Sequence, residues 1–147
     1  MAIDRTLDLR PATIDIADNV DDILKLLTPV IYDKNAITFE TGFEPYNETV
    51  AEQKIKITKV NNFAIIQGAI KKTPAQSSAG SIKCGNIISD LRPTQRFTTV
   101  EVSGGVNRFG FSVYPNGDLF IVSYGTATNI AIPNNAYLRI DCCYYLG

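Results

Sequence analysis

Phe109-Gly110-Phe111-Ser112-Val113-Tyr114-Pro115-Asn116-Gly117-Asp118-Leu119-Phe120-Ile121 decides how this chain folds. Two apolar runs flank a Pro-Asn-Gly turn, with proline at the second turn position and glycine where a positive φ is needed. The segment reads as a β-hairpin. If the Pro-Asn-Gly loop carries a glycine bulge, Phe109, Phe111 and Val113 share a face with Leu119 and Ile121. A tighter Asn-Gly turn would pair that face with Phe120, Val122 and Tyr124 instead, because a slip of one residue exchanges the two faces. The first register is the expected one.

Strand patterning extends in both directions from this hairpin. Lys54-Ile55-Lys56-Ile57-Thr58-Lys59 alternates strictly, and Asn61-Asn62 suits a left-handed turn. Phe63 to Ile70 is a continuous apolar run, expected as a central strand covered on both faces. Further strands are predicted at Ile82 to Ile88, Phe97 to Val102, Phe109 to Tyr114, Leu119 to Tyr124 and Tyr137 to Tyr145, separated by Gly, Pro and Asn clusters. Short strands at this spacing predict a mainly β fold, an antiparallel Greek-key barrel or sandwich. Lys71 to Ser81, with Pro74, Ser77, Ser78 and Gly80, is a surface loop of the kind that often carries recognition. In the last strand Leu138, Ile140, Cys142 and Tyr144 alternate with polar and aromatic partners, which places Cys142 in the core.

The N-terminal part has a different period. Ile16, Val20, Ile23 and Leu27, continued by Val30, follow the alternating four and three spacing of a heptad seam, with Leu24 widening the stripe. A helix of about three turns is expected, with Asp15, Asp18, Asp21 and Asp22 crowding its N-terminal turns, Lys25 near its end and Pro29 stopping it. The spacing alone leaves open whether the stripe packs on its own domain or on copies of itself. From Ala36 to Val50 the residues read as extended connecting chain with one short strand. The chain thus divides into a helical segment at 1–35, a linker at 36–53 and a β domain at 54–147. Asn47-Glu48-Thr49 fits a glycosylation sequon, but without a secretory signal it reads as an ordinary loop.

Composition narrows the function. A chain of 147 residues, 45% hydrophobic and 20% charged, is long enough for one folded domain with an appendage. The formal net charge of −1 carries no basic excess for phosphates, so neither nucleic acid nor an anionic membrane surface is an expected partner. Asp4, Arg5 and Asp8 interrupt the start where a signal peptide would be apolar, and no run reaches membrane-spanning length, so no membrane insertion is expected. Cys84, Cys142 and Cys143 are an odd set without metal spacing, and are expected as free thiols.

The sequence contains no histidine. That excludes Ser-His-Asp and Cys-His sites, and it removes the usual zinc ligand, so no metal and no cofactor is expected. Asp118 and Asp141 are an imaginable carboxylate pair for glycan hydrolysis, but a turn role for Asp118 and pairing with Arg139 for Asp141 explain them better. A binding protein rather than an enzyme is the expectation.

The order of parts from Lys54 to Gly147 carries a resemblance. Ile55-Lys56-Ile57-Thr58-Lys59-Val60-Asn61-Asn62, an apolar strand ending in Gly68, Leu91-Arg92-Pro93, and Phe109 through Gly117 follow one another as in the head domain of lactococcal phage receptor-binding proteins. The closing strand Asn135-Ala136-Tyr137-Leu138-Arg139-Ile140 is similar to that of related trimeric tail-fibre tips. The resemblance implies a homotrimer with a helical shoulder (1–35), an interlaced neck (36–53) and a β-barrel head (54–147) that binds host cell-surface polysaccharide. It also implies attachment to other baseplate or tail proteins through the N-terminal region, and a place in the virion tail tip after synthesis in the bacterial cytoplasm. Ile16, Val20, Ile23 and Leu27 would then form the trimer interface. The lactococcal sugar site is not carried over: where those members have His and Asp before the turn and Trp after it, this chain has Gly110, Ser112 and Ile121 or Val122.

A saccharide needs an aromatic ring against its apolar face and a few planar hydrogen-bonding groups. Arg108, Tyr114, Tyr124 and Asn134 are the candidate ligand-binding residues, although strand tyrosines more often pack in a core or interface. A structural baseplate or tail component without glycan binding is the alternative expectation, and a glycan-cleaving enzyme stands behind both.

Overall fold

The computed structural model describes residues 10–75, 80–104, 107–125 and 131–147, with side chains from Asn19 onward. Helix α1 (Arg10–Leu27) begins earlier than its acidic residues suggest and runs 18 residues. Pro11 explains the start, because a proline in the first helical turn gives up only a donor that has no intrahelical partner. The acidic residues therefore lie in the helix body, and the first turn holds none. The helix ends where Thr28 donates both its backbone N–H and its hydroxyl to the Leu24 carbonyl, at 2.9 and 2.7 Å, just before Pro29. Every side chain described in α1 is exposed. Val20, Ile23 and Leu27 are 47%, 54% and 61% accessible, so this chain leaves their stripe uncovered.

Apart from two 3-10 turns, the remaining elements among the described residues are strands: β1 (Val30–Asp33), β2 (Ile37–Phe39), β3 (Phe43–Pro45), β4 (Lys56–Val60), β5 (Phe63–Lys72), β6 (Ser81–Ile87), β7 (Phe97–Ser103), β8 (Asn107–Val113), β9 (Asp118–Gly125) and β10 (Leu138–Tyr145). They form one antiparallel sheet in the order β1-β4-β5-β10-β7-β8-β9-β6-β2, with β3 also paired to β5. Laid flat, nine strands about 4.8 Å apart would separate β1 from β2 by about 38 Å. Yet only the single 3-10 turn Lys34–Ala36 joins those two edges. The sheet must curl to bring those edges near each other, and a mainly β, antiparallel half-barrel results, in keeping with the predicted fold class. Residues 30–45 were expected as the helix end and a linker; they supply both sheet edges and β3, so the linker segment holds two strands rather than one.

The hairpin takes the predicted bulged register: Val113 faces Leu119 and Phe111 faces Ile121, all four buried together with Phe109. Gly117, at φ +89°, allows the turn to press against Ile87 and Arg92; a Cβ there would stand 2.7 Å from the Ile87 carbonyl oxygen. Gly68, at φ +128°, lets the Lys54 carbonyl cross β5, where a Cβ would approach it to 2.5 Å. Around these turns the core gathers Ile55, Ile57, Ile66, Ile70, Ile87 and Leu138, among others. Cys142 joins it as expected, and burial pushes its thiol up to about 12.

Two expectations need correction. β5 is central in the ladder, but its outward face is open from Phe63, 48% exposed, to Gln67, which faces solvent, and is covered only further along, at Ala69. A single curled sheet has one interior, so an apolar run does not imply two covered faces. Tyr124, a candidate ligand residue, is in the core with 3% exposure. Ser123 adopts φ +52°, where the β8–β9 register shifts, and this turns Tyr124 inward beside Phe109.

Candidate functional site

The strands define two rims. One carries the turns at 61–62, 88–96 and 115–117 and the end of β10. The other carries the opposite strand ends, at Lys72, Ser81, Ser103, Asn107, Gly125 and Leu138. The chain enters the sheet at Val30, which pairs with Lys59 next to the turn rim, so the loop rim lies at the far end of the strands.

The four expected ligand residues do not converge. Arg108 is exposed at the loop-rim end of β8, and Tyr114 follows the same strand at the turn rim, about 20 Å away for six residues of extended chain. Asn134 is exposed at the loop rim, beside Asn135, whose side-chain oxygen accepts from the Thr73 hydroxyl at 2.9 Å. Tyr124 offers no ring face to a ligand; its hydroxyl meets Ser103 at 3.2 Å and the Asn107 amide at 3.3 Å. The Lys71 to Ser81 loop falls partly outside the described residues, at 76–79.

The turn rim carries a hydrogen-bonded polar cluster around Asp118. Asp118 accepts from Asn86 and Asn116, each at 2.9 Å, and pairs with Lys83 at 2.9 Å. Lys83 thereby holds the Asp118 carboxyl below its ordinary range, while Asp118 and then Glu40 raise Lys83 above its own. Asp118 is thus a turn residue, and Asp141 pairs with Arg139 at 3.4 Å. Three strand spacings, about 14 Å along the sheet, separate these two carboxylates, beyond the ~6.5–9.5 Å that glycan hydrolysis by inversion needs. Among the described residues no cluster of three or more His, Cys, Asp or Glu side chains could hold a metal. No described helix is long and apolar enough to cross a membrane.

The clefts among the described residues include three with defined linings. The largest of these, about 760 Å³, opens beside β1 between Ile31, Tyr32, Ile55 and Ile88, with Lys54 and Lys56 at its edge. It lies at the seam where the sheet edges approach each other. Ile31, 64% exposed, adds apolar surface to it. The second, about 220 Å³, is lined by charged and amide groups including Lys56, Gln67, Arg139 and Asp141, and has no aromatic wall. The third, about 300 Å³, lies at the turn rim between Thr94, Gln95, Arg96, Phe97, Tyr144 and Tyr145.

No protein-family model and no curated protein sequence matches this chain. Solved structures do. The receptor-binding protein of Listeria phage PSA aligns over 92% of this chain and 81% of its own, at 19% identity and a TM-score of 0.54. The head domain of the lactococcal phage bIL170, described as a receptor-binding domain, aligns over 82% of this chain and 100% of its own, at 12% identity and a TM-score of 0.53. The fold of this chain is that of phage receptor-binding proteins, as the order of its turns and strands implied.

Proposed function

We propose that this chain is a host-recognition protein of a phage tail, assembling as a homotrimer whose heads bind saccharides of the bacterial surface. The observation that carries the reading is the shared fold with two phage receptor-binding proteins across most of the chain. Trimer formation draws on a second feature, the uncovered stripe of α1. An isolated helix of this length is marginal in water, so an exposed apolar stripe calls for a partner, and a heptad seam suits copies of itself. A ring of three also needs two different patches on each copy. The seam cleft with Val30 and Ile31 is one, and the outward strip of Val100 and Val102, 70% and 46% exposed on β7, is a second.

In such an assembly 1–35 would act as shoulder, 36–53 as neck and 54–147 as head, and the N-terminal region would join other tail or baseplate proteins. Arg108, Tyr114 and Asn134 remain proposed saccharide contacts; the buried Tyr124 does not. Three linked heads raise the effective concentration of weak sites, so millimolar single-site affinity is enough for firm adhesion. Fluorescently labelled protein, applied to a panel of bacterial strains, tests the reading. Labelling of a susceptible strain, and competition with phage adsorption, is the expected result. Binding to no strain together with tight binding to another tail protein would favour a structural component.

A further inference from the structure

We propose that the Asn116–Gly117 step in the turn between β8 and β9 is a deamidation site that the fold holds shut, with the Asp118 carboxylate as its clamp. This concerns the chemistry of the turn itself and is independent of what the head binds.

Asn116 is the one asparagine in this sequence that glycine follows. Having no β-carbon, glycine leaves its backbone nitrogen open to the side chain before it. In a flexible chain the Gly117 nitrogen can therefore attack Asn116 Cγ. A bond forms between the two atoms, the Cγ–Nδ2 bond breaks, and ammonia leaves with the proton that the nitrogen gave up. Water then opens the cyclic imide at either carbonyl, which leaves aspartate or its β-linked isomer in place of asparagine. Asn116 is exposed, so water reaches it.

Each group that the attack needs is held in another contact. The Gly117 N–H donates to the Tyr114 carbonyl at 2.8 Å. On the other side of the same peptide plane, the Asn116 carbonyl accepts from Asn86 Nδ2 at 3.3 Å, so the plane cannot turn toward the side chain without breaking both bonds. Asn116 Nδ2 donates to Asp118 Oδ2 at 2.9 Å, and Asn116 Oδ1 accepts from the Asp118 N–H at 3.1 Å, which ties both ends of the carboxamide to residue 118. Beyond the glycine, its carbonyl accepts from the Ile87 N–H at 2.8 Å. Asp118 is itself fixed by Lys83 and Asn86, each at 2.9 Å, and Lys83 holds its carboxyl below the ordinary range. The clamp is thus ionised at neutral and alkaline pH, where base would draw the proton from the Gly117 nitrogen.

The product cannot restore the turn. Aspartate in place of Asn116 has no Nδ2 donor and sets a second negative charge against Asp118. The β-linked isomer lengthens the backbone of a turn whose Gly117 is pressed against Ile87 and Arg92. Once opened and converted, the hairpin loses the turn that pins its register.

The full chain is incubated at mildly alkaline pH, either folded or unfolded in guanidinium chloride, and conversion of Asn116 is followed by peptide mass spectrometry. The folded protein should react at least about tenfold more slowly, because the rate is scaled by the fraction of time the turn is open. Asp118→Ala, confirmed as folded by circular dichroism, should react about tenfold faster than the folded parent, the change in opening that one charge-assisted hydrogen bond supports. Ile140→Val loosens the core in the middle of β10 without touching the turn, and should leave the rate unchanged. If Asp118→Ala does not fold, Asn86→Ala takes its place, since it frees the Asn116 carbonyl and weakens the hold on Asp118. Equal rates in the folded and unfolded chain would overturn the proposal. A folded turn variant that reacts no faster than the parent, or an Ile140→Val that accelerates conversion as much as the turn variant does, would overturn the clamp.

Discussion

Replacing Glu101 by glutamine should stabilise the protein at neutral pH. Glu101 sits in the middle of β7 opposite Phe109, 8% exposed, on the strand face that looks into the barrel. Its Oε1 has no hydrogen-bond partner. Burial raises its carboxyl above the usual range, and the nearby Asp141 charge adds to that, while hydrogen bonds from the Asp141 backbone and Thr99 act the other way. A buried polar group without its partner costs about 1–3 kcal/mol, more when charged. Glutamine keeps the shape and the accepting oxygen but carries no charge; its amide remains poorly paired, so only part of that cost is recovered, about 1 kcal/mol. In a chain of this size that is about 3 °C in Tm. The sign follows from linkage: the folded protein holds this proton more tightly than the unfolded chain, so the native carboxyl stabilises in acid and loses that advantage as pH rises from about 4.5 through its raised folded value. Melting curves from pH 4 to 8 should show Glu101→Gln equal to the parent at the acid end and more stable at the neutral end. A gap independent of pH, or a variant several degrees less stable at neutral pH, would refute the reasoning.

Other outcomes follow from the same structure. Ile23→Ser or Leu27→Ser should weaken self-association: each removes about 1 kcal/mol of apolar burial per copy, roughly 3–4 kcal/mol per trimer, read as dissociation at a higher protein concentration in sedimentation equilibrium. Gly117→Ala should lower Tm by several degrees, since the new methyl would meet the Ile87 carbonyl and Arg92 in a backbone conformation that side chains avoid. Only one of the three cysteines should react quickly with a thiol reagent in the native protein, Cys143, because Cys84 and Cys142 are buried and burial raises both thiols; rapid modification of all three would contradict the core as described.

What the sequence disclosed, and what it hid, follows from the range over which each signal acts. The β8–β9 hairpin was legible with its register, since Pro115, Gly117 and the flanking apolar residues act locally. The alternation of β10 and the turn at Asn61 were legible for the same reason. The sheet closure was not, because β1 and β2 are four and three residues long and their place depends on partners at 56–59 and 85–87. In β7 local reading misleads outright: Val100 and Val102 look like core residues and Glu101 like a surface one, but Phe97 and Ser103 share the face of Glu101 and anchor it inward against Tyr144 and Tyr124. The bulge at Ser123 likewise moved Tyr124 from the candidate site into the core.

Sedimentation equilibrium of the unaltered protein at micromolar concentration is the most direct test of the central claim, that the apolar stripe left bare on one copy is covered by two others. The expected mass is three times 16.1 kDa, about 48 kDa. A single well-folded species of 16.1 kDa, with native melting behaviour, would contradict it.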